Sequence, residues 1–105
     1  MFCAHIRWES ERLLDGINEV VNIAKNAEVP LHISHFKAAG RRAWDKNVMD
    51  RAIERIENER AHGMDISVDF YPYDCGSAPL HQMIPPSLLE GDFDVRIAEL
   101  GKSYE

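Results

Sequence analysis

The sequence predicts an α/β fold with the element order β-α-β-α-β, parallel strands and an irregular C-terminal tail. Two observations predict this class. Short apolar runs of strand length alternate with two segments whose apolar side chains recur at helical spacing, and prolines and glycines crowd the chain after residue 71. Strands that alternate with helices of this length pair in parallel through right-handed crossovers. We therefore predict one domain over residues 1–105, with the alternating elements in 1–71 and a loop and short helix in 72–105.

The first strand and the first helix occupy residues 1–26. Met1–His5 is a compact apolar run, and a helix follows from Ser10, a suitable N-cap, to about Asn26. Gly16 lies inside this helix and weakens it by about 1 kcal/mol relative to alanine. The apolar stripe of the helix consists of Leu13, Ile17, Val20, Val21 and Ala24.

The second strand is predicted over Leu31–His35, and the polar loop Lys37–Lys46 follows it. The second helix begins after Asn47, which with Asp50 resembles a capping box, and ends at Gly63, a residue typical of helix ends. Its positions at helical spacing are Met49, Ala52, Ile53, Ile56 and Arg60.

The third strand is predicted over Met64–Tyr71, where apolar and polar residues alternate strictly. One face carries Ile66, Val68 and Phe70, and the other carries Ser67, Asp69 and Tyr71. In the tail, Asp94–Leu100 is the segment predicted to form a short helix.

Composition excludes several classes of protein. The 12 Lys and Arg residues against 18 Asp and Glu residues give a net charge of −6, which argues against binding to nucleic acid. No apolar run approaches the roughly 20 residues of a membrane helix. With no export signal, Cys3 and Cys75 are predicted to be reduced thiols of a cytoplasmic protein. The 105 residues are too few for a complete (β/α)8 barrel, which needs about 250.

The chemically capable side chains cluster where the predicted strands end. His5-Ile6-Arg7 and His35-Phe36-Lys37 repeat one pattern, histidine, apolar residue and cation, at a distance of one βα unit. Two imidazoles on neighbouring strand ends could share one zinc ion, and the alternative of two hydrogen-bonded structural histidines stays open. If His35 faces the site, strict alternation places His32 on the side of the helices, so either His32 is accommodated there or the strand end is irregular.

Other residues near these strand ends permit two interpretations. Asp69 is either a ligand or base, or a carboxylate bonded to neighbouring groups. Tyr71-Pro72-Tyr73 is either a substrate contact or a rigid turn. Cys3 has the same strand parity as His5 and could point towards the same site, but the favoured prediction is a small buried hydrophobic residue.

Four motifs, in this order, carry a resemblance to a known family. They are HIRWESERLL (residues 5–14), ISHFKAAGRRAW (33–44), DFYPY (69–73) with Gly76-Ser77, and Ile84-Pro85-Pro86. Together they resemble the D-aminoacylases, or N-acyl-D-amino-acid deacylases, of the amidohydrolase superfamily. The resemblance departs at Ser87, where the family usually has tryptophan.

The resemblance implies a fold, a metal and a reaction. The fold is a metal-dependent (β/α)8 TIM barrel, of which this chain would cover about strands five to seven. His5 and His35 match two zinc ligands, while Arg7, Lys37 and Tyr71 resemble contacts to the substrate carboxylate or oxyanion. The reaction would be hydrolysis of the amide bond of a small-molecule N-acyl-D-amino acid.

The resemblance also implies that this chain is a fragment of such an enzyme, inactive by itself. The family's His-x-His pair, its cysteine ligand and its general-base aspartate match no position here, so zinc is expected to bind the isolated chain weakly. The alternatives are a free-standing anion- or metal-binding module without catalysis, and a structural or partner-binding remnant. An apolar exposed sheet face and two open sheet edges predict that the isolated chain forms a homo-oligomer.

Overall fold

The computed structural model describes residues 1–44, 47–77, 79 and 91–102, in two compact units that are treated separately. The first unit, Met1–Pro72, contains every described strand. Its elements are β1 (Phe2–His5), α1 (Leu13–Asn26), β2 (Leu31–Ser34), α2 (Arg41–Trp44), α3 (Val48–Ala61) and β3 (Ile66–Val68). The second unit, Tyr73–Glu105, contains α4 (Phe93–Lys102), which covers the predicted tail helix. Ile84-Pro85-Pro86 and Ser87 lie outside the described residues.

The sheet is parallel, in the order β1-β2-β3, which confirms the predicted α/β class. Phe2 aligns with Leu31 and His5 with Ser34, while Leu31 aligns with Ile66. Helix α1 packs against β2 and α3, and α3 packs against β3. The strands therefore end at one edge, and the segments that follow them meet there.

The hydrophobic core lies between the sheet and helices α1 and α3. All five residues of the predicted α1 stripe are buried, because a 3.6-residue period places them on one side of the helix. In α3, Ala52 and Ile56 are buried, whereas Ile53 is 44% exposed. The sheet contributes Ala4, Leu31, Ile33 and Ile66 to this core.

Two predictions about helix starts and one about a loop need correction. Helix α1 begins at Leu13, so its N-cap is Arg12, which makes no side-chain capping bond. The predicted N-cap, Ser10, lies two residues earlier, and its hydroxyl donates to Glu11. Asn47 does precede α3, but with a left-handed φ of 48° and no side-chain cap. Part of the predicted loop forms the short helix α2. The end of α3 is as predicted, since Gly63 takes a φ of +89° that glycine tolerates readily.

The sheet face opposite the helices is polar, so the predicted apolar patch is wrong. Strand positions alternate between faces, and those between the core residues are Cys3, His5, His32, Ser34 and Ser67. Cys3 is exposed instead of buried. No described helix combines the length and the apolar character that crossing a membrane requires.

Candidate metal site

His5 and His35 meet at the edge where β1 and β2 end. Their ring centroids are 4.5 Å apart, and His5 Nδ1 and His35 Nε2 are hydrogen-bond partners. The register aligns His5 with Ser34, so His35 lies one residue beyond the paired position. His35 has a left-handed φ of 43°, which breaks the strand alternation at that residue. Because the strand end is irregular, the second of the two predicted alternatives, His35 reaches His5 and His32 lies on the polar face as well.

Asp69 holds the backbone of His35 in this conformation. The His35 N–H donates to Asp69 Oδ1 at 2.6 Å, and the Phe36 N–H donates to the Asp69 carbonyl at 2.8 Å. The Asp69 N–H in turn donates to the Ile33 carbonyl at 3.1 Å. The end of β3 therefore fixes the chain reversal that follows β2.

The same carboxylate also binds His32, the histidine of the polar face. His32 Nε2 lies 2.8 Å from Asp69 Oδ2, and His32 Nδ1 lies 2.8 Å from the Ser67 hydroxyl. The pKa of Asp69 is lowered, first by the backbone N–H of His35 and then by the His32 side chain. Because both oxygens accept hydrogen bonds, the structure favours the interpretation of Asp69 as a carboxylate bonded to its neighbours.

Glu9 is the residue of this cluster that sequence reasoning missed. Its Oε1 lies 2.6 Å from His35 Nδ1, and its Oε2 forms an ion pair with Lys37. The Glu9 side chain is only 23% exposed. Glu9 is part of the HIRWESERLL motif, which was the one available signal, because no periodicity links a loop carboxylate to a strand end 26 residues later.

Lys37 and Tyr71, both predicted substrate contacts, lie beside the histidine pair. The Lys37 ammonium is 5.5 Å from the centre of the Tyr71 ring, within the range of a cation–π contact. It is also 3.4 Å from His35 Nδ1 and 3.4 Å from the His35 carbonyl oxygen. The structure thus brings together four of the five predicted site residues: His5, His35, Lys37 and Tyr71.

Arg7 is the fifth predicted site residue, and its described contacts lead elsewhere. Its guanidinium forms an ion pair with Glu19 of α1 at 2.8 Å and lies 5.6 Å from the centre of the Trp8 ring. The Arg7 side chain is 65% exposed. In this conformation Arg7 faces the helix α1.

The donor atoms at the strand ends suit a zinc ion in their chemistry. Two imidazole nitrogens converge, and the other nitrogen of His35 lies 2.6 Å from the Glu9 carboxylate, an arrangement common around metal-binding histidines. Within the described part of the chain, no group of three or more His, Cys, Asp or Glu side chains is placed to hold a metal ion. The described residues therefore offer two ligands, fewer than the three or four of ordinary protein zinc sites.

No protein-family model matches the chain. Comparison with curated proteins finds a D-aminoacylase of Alcaligenes xylosoxydans xylosoxydans, 31% identical over 117 aligned positions that include 98% of this chain and 24% of the relative. An N-acyl-D-glutamate deacylase of the same organism is 31% identical over 94 positions, covering 90% of this chain and 18% of the relative.

Comparison with solved structures also finds a D-aminoacylase. It is an Asp-to-Ala mutant in complex with copper(II) chloride, and it superimposes with a TM-score of 0.64 at 31% identity. The match covers 70% of this chain and 15% of that protein. These relatives are deacylases, which are hydrolases. The chain belongs to the D-aminoacylase family as a partial segment, spanning less than a quarter of the length of the relatives it matches.

Proposed function

We propose that this chain is part of a metal-dependent hydrolase of N-acyl-D-amino acids, in which His5 and His35 are metal ligands. The observation that carries the proposal is the convergence of the two rings at the carboxyl end of adjacent parallel strands. In (β/α)8 enzymes that edge carries the active site. We further propose that the three strands correspond to strands five to seven of such a barrel, and that the enzyme acts in the cytoplasm, where free thiols such as Cys3 and Cys75 persist.

We propose zinc as the metal, because neutral imidazole is one of its preferred ligands. Bound there, zinc would polarise the substrate carbonyl and lower the pKa of a coordinated water to about 7. The chain's own contribution is to hold the two rings in place. Asp69 fixes the His35 backbone, and β1 fixes His5 in register with Ser34.

The side chains next to the histidines suit an anionic substrate. Lys37 offers an ammonium group, and Tyr71, which is 37% exposed, offers a phenolic hydroxyl. Arg7 reaches the substrate in this proposal by leaving Glu19. A surface ion pair is worth roughly 0–1 kcal/mol, so a substrate carboxylate can recruit Arg7 at little cost.

Metal binding by the 105-residue chain tests the ligand assignment. In a calorimetric zinc titration, we expect weak binding to the unaltered chain and at least a tenfold loss with His5→Ala or His35→Ala. The matched control is His62→Ala, since His62 lies at the end of α3 and its Nδ1 bonds the Asn58 carbonyl. Equal zinc affinity in His5→Ala, His35→Ala and the unaltered chain would contradict the assignment.

Hydrolysis in this proposal requires further metal ligands and a general base, which His5 and His35 do not supply. We expect the isolated chain to hydrolyse no N-acetyl-D-amino acid, and a chimera to hydrolyse it when the 105 residues replace the matching segment of the Alcaligenes D-aminoacylase. His35→Ala in that chimera should abolish hydrolysis and lower the bound metal, whereas His62→Ala should change neither. A metal-loaded chimera that keeps full activity with His35→Ala would overturn the proposed function.

A further inference from the structure

Glu9 lies between the proposed metal ligand His35 and the cation Lys37. We propose that Glu9 is a positioning residue whose carboxylate holds the His35 ring as the Nδ1–H tautomer and keeps its Nε2 lone pair directed at His5. The inference rests on the proposed metal site and adds to it the group that orients one ligand.

The contact between Glu9 and His35 determines which ring nitrogen carries the hydrogen. A carboxylate has only acceptors, so at 2.6 Å from Glu9 Oε1 it is His35 Nδ1–H that donates. In a neutral imidazole the other nitrogen, Nε2, then carries the lone pair. Nε2 is the atom that faces His5. The Lys37 ammonium is 3.4 Å from the same Nδ1, and as a donor it would favour a ring nitrogen without a hydrogen. The Nδ1–H form follows because the contact with Glu9 is much the shorter of the two.

Both the side chain and the backbone of Glu9 are held by neighbouring groups, so Glu9 can hold the His35 ring in place. Its second carboxylate oxygen is paired with Lys37, so each of the two oxygens has a partner that restricts the rotation of the carboxylate. Its backbone carbonyl accepts a hydrogen bond from the Ala39 N–H, which joins the loop after β1 to the loop after β2. Glu9 therefore connects the two loops that carry the site.

Replacing the Glu9 carboxylate by an amide is expected to reverse the tautomer of the His35 ring. In Glu9→Gln the amide oxygen is attracted to the Lys37 ammonium, which can only donate. The NH2 group is then left facing His35 Nδ1, and that nitrogen must accept. The hydrogen moves to Nε2, so the lone pair no longer points towards His5. In the double variant Glu9→Gln/Lys37→Met the amide is free to turn, and we expect the Nδ1–H tautomer to return.

The experiment reads the tautomer directly from the ring 15N chemical shifts of His35 in the 105-residue chain. It is run without metal at about pH 8.5, above the ordinary imidazole pKa of about 6.5. We expect a pyrrole-like Nδ1 in the unaltered chain, a pyridine-like Nδ1 in Glu9→Gln, and a pyrrole-like Nδ1 again in the double variant. The matched control is Glu11→Gln, in the same loop, whose carboxylate contacts Ser10 and Arg42 instead of the histidines; it should leave the His35 shifts unchanged.

A pyridine-like Nδ1 in the unaltered chain would overturn the inference without any variant. An unchanged tautomer in a folded Glu9→Gln chain would also overturn it. Zinc affinity is measured in parallel, and we expect Glu9→Gln to weaken it about 10- to 100-fold, the usual effect of removing a partner of a metal-binding histidine. If the tautomers respond as expected but the unaltered chain binds no zinc, Glu9 orients His35 as inferred and the proposed metal function fails.

Discussion

At the scale of single residues, the site depends on one unusual backbone conformation. His35 has a left-handed φ of 43°, which costs a residue with a side chain of the order of 1–3 kcal/mol. The Asp69 carboxylate offsets this cost by accepting the His35 N–H at 2.6 Å. An extended His35 would direct its ring away from His5, so the strained residue and its carboxylate partner create the histidine pair together.

Glu59 is a second residue whose charge matters, and it links the two long helices. Glu59 on α3 is 5% exposed, and its carboxylate pairs with Lys25 of α1 and Arg55 of α3. These two cations, Lys25 first, hold the pKa of Glu59 below its usual 4.5. The folded state therefore binds this proton less readily than the unfolded state does.

We predict that Glu59→Gln lowers the free energy of unfolding by about 1–3 kcal/mol at pH 7. Because the folded-state pKa is lowered, the contribution of the Glu59 charge is complete above the usual value of 4.5 and is lost as the pH falls through the folded value. Urea unfolding of both proteins between pH 7 and pH 3 should show their difference shrinking below about pH 4.5.

Glu57→Gln is the control for this prediction, since Glu57 is 59% exposed and pairs with Arg60 on the same helix. Its effect should stay below about 0.5 kcal/mol throughout. A Glu59→Gln deficit that does not change with pH would show that the charge of Glu59 is not the source of its stabilisation.

At the scale of an element, α1 shows why helix propensity alone misjudges a glycine. By propensity Gly16 weakens the helix, but a Cβ at this position would overlap Ile6 Cγ2 and lie 3.7 Å from the Trp8 backbone. The segment after β1 therefore crosses α1 closely at Gly16. The missing side chain lets the helix approach the strand end that carries His5.

We predict that Gly16→Ala destabilises the protein, although alanine is the better helix former. The gain in propensity is about 1 kcal/mol, whereas forcing a methyl group into a filled space costs about 1–3 kcal/mol. Urea unfolding should show a net loss of about 1 kcal/mol. Asn22→Ala, at an exposed position of the same helix, should instead stabilise by about 0.5 kcal/mol. If Gly16→Ala stabilised the protein as Asn22→Ala does, close packing at Gly16 would not be the reason for the glycine.

At the scale of the whole molecule, the first unit leaves two strand edges without partners among the described residues. β1 and β3 each pair only with β2 there, so the backbone groups along their outer edges are available to another chain. Phe70, two residues after the end of β3, is 73% exposed. The polar face of the sheet contributes little to association. The prediction of a homo-oligomer therefore rests on the outer edges of β1 and β3 and on Phe70.

We predict that the isolated chain associates into dimers or larger species at high micromolar concentration, as judged by light scattering. Phe70→Lys should reduce this association, because charge next to a strand end opposes pairing between edges. Ile53→Lys, which changes an exposed apolar residue of α3 away from the edges, is the control and should leave association unchanged. A monodisperse monomer of 12.0 kDa at that concentration would refute the prediction.

The α/β class, the alternation of three strands with two long helices and the buried stripe of α1 could all be predicted from the sequence. These features are encoded in neighbouring residues, because a helix repeats every 3.6 residues and a strand every two. The same local reading selected His5 and His35, since each ends an apolar run and a parallel sheet brings such ends to one edge.

How those residues are arranged depends on contacts between distant parts of the chain. His35 and Asp69 are 34 residues apart, and the left-handed turn that aims the His35 ring exists only because they meet. The polar open face, the link from Glu9 to His35 and Lys37, and the close approach of Ile6 to Gly16 likewise depend on contacts between separate elements. Local propensity cannot encode such contacts, because their free energy arises only when the chain has folded and brought distant groups together.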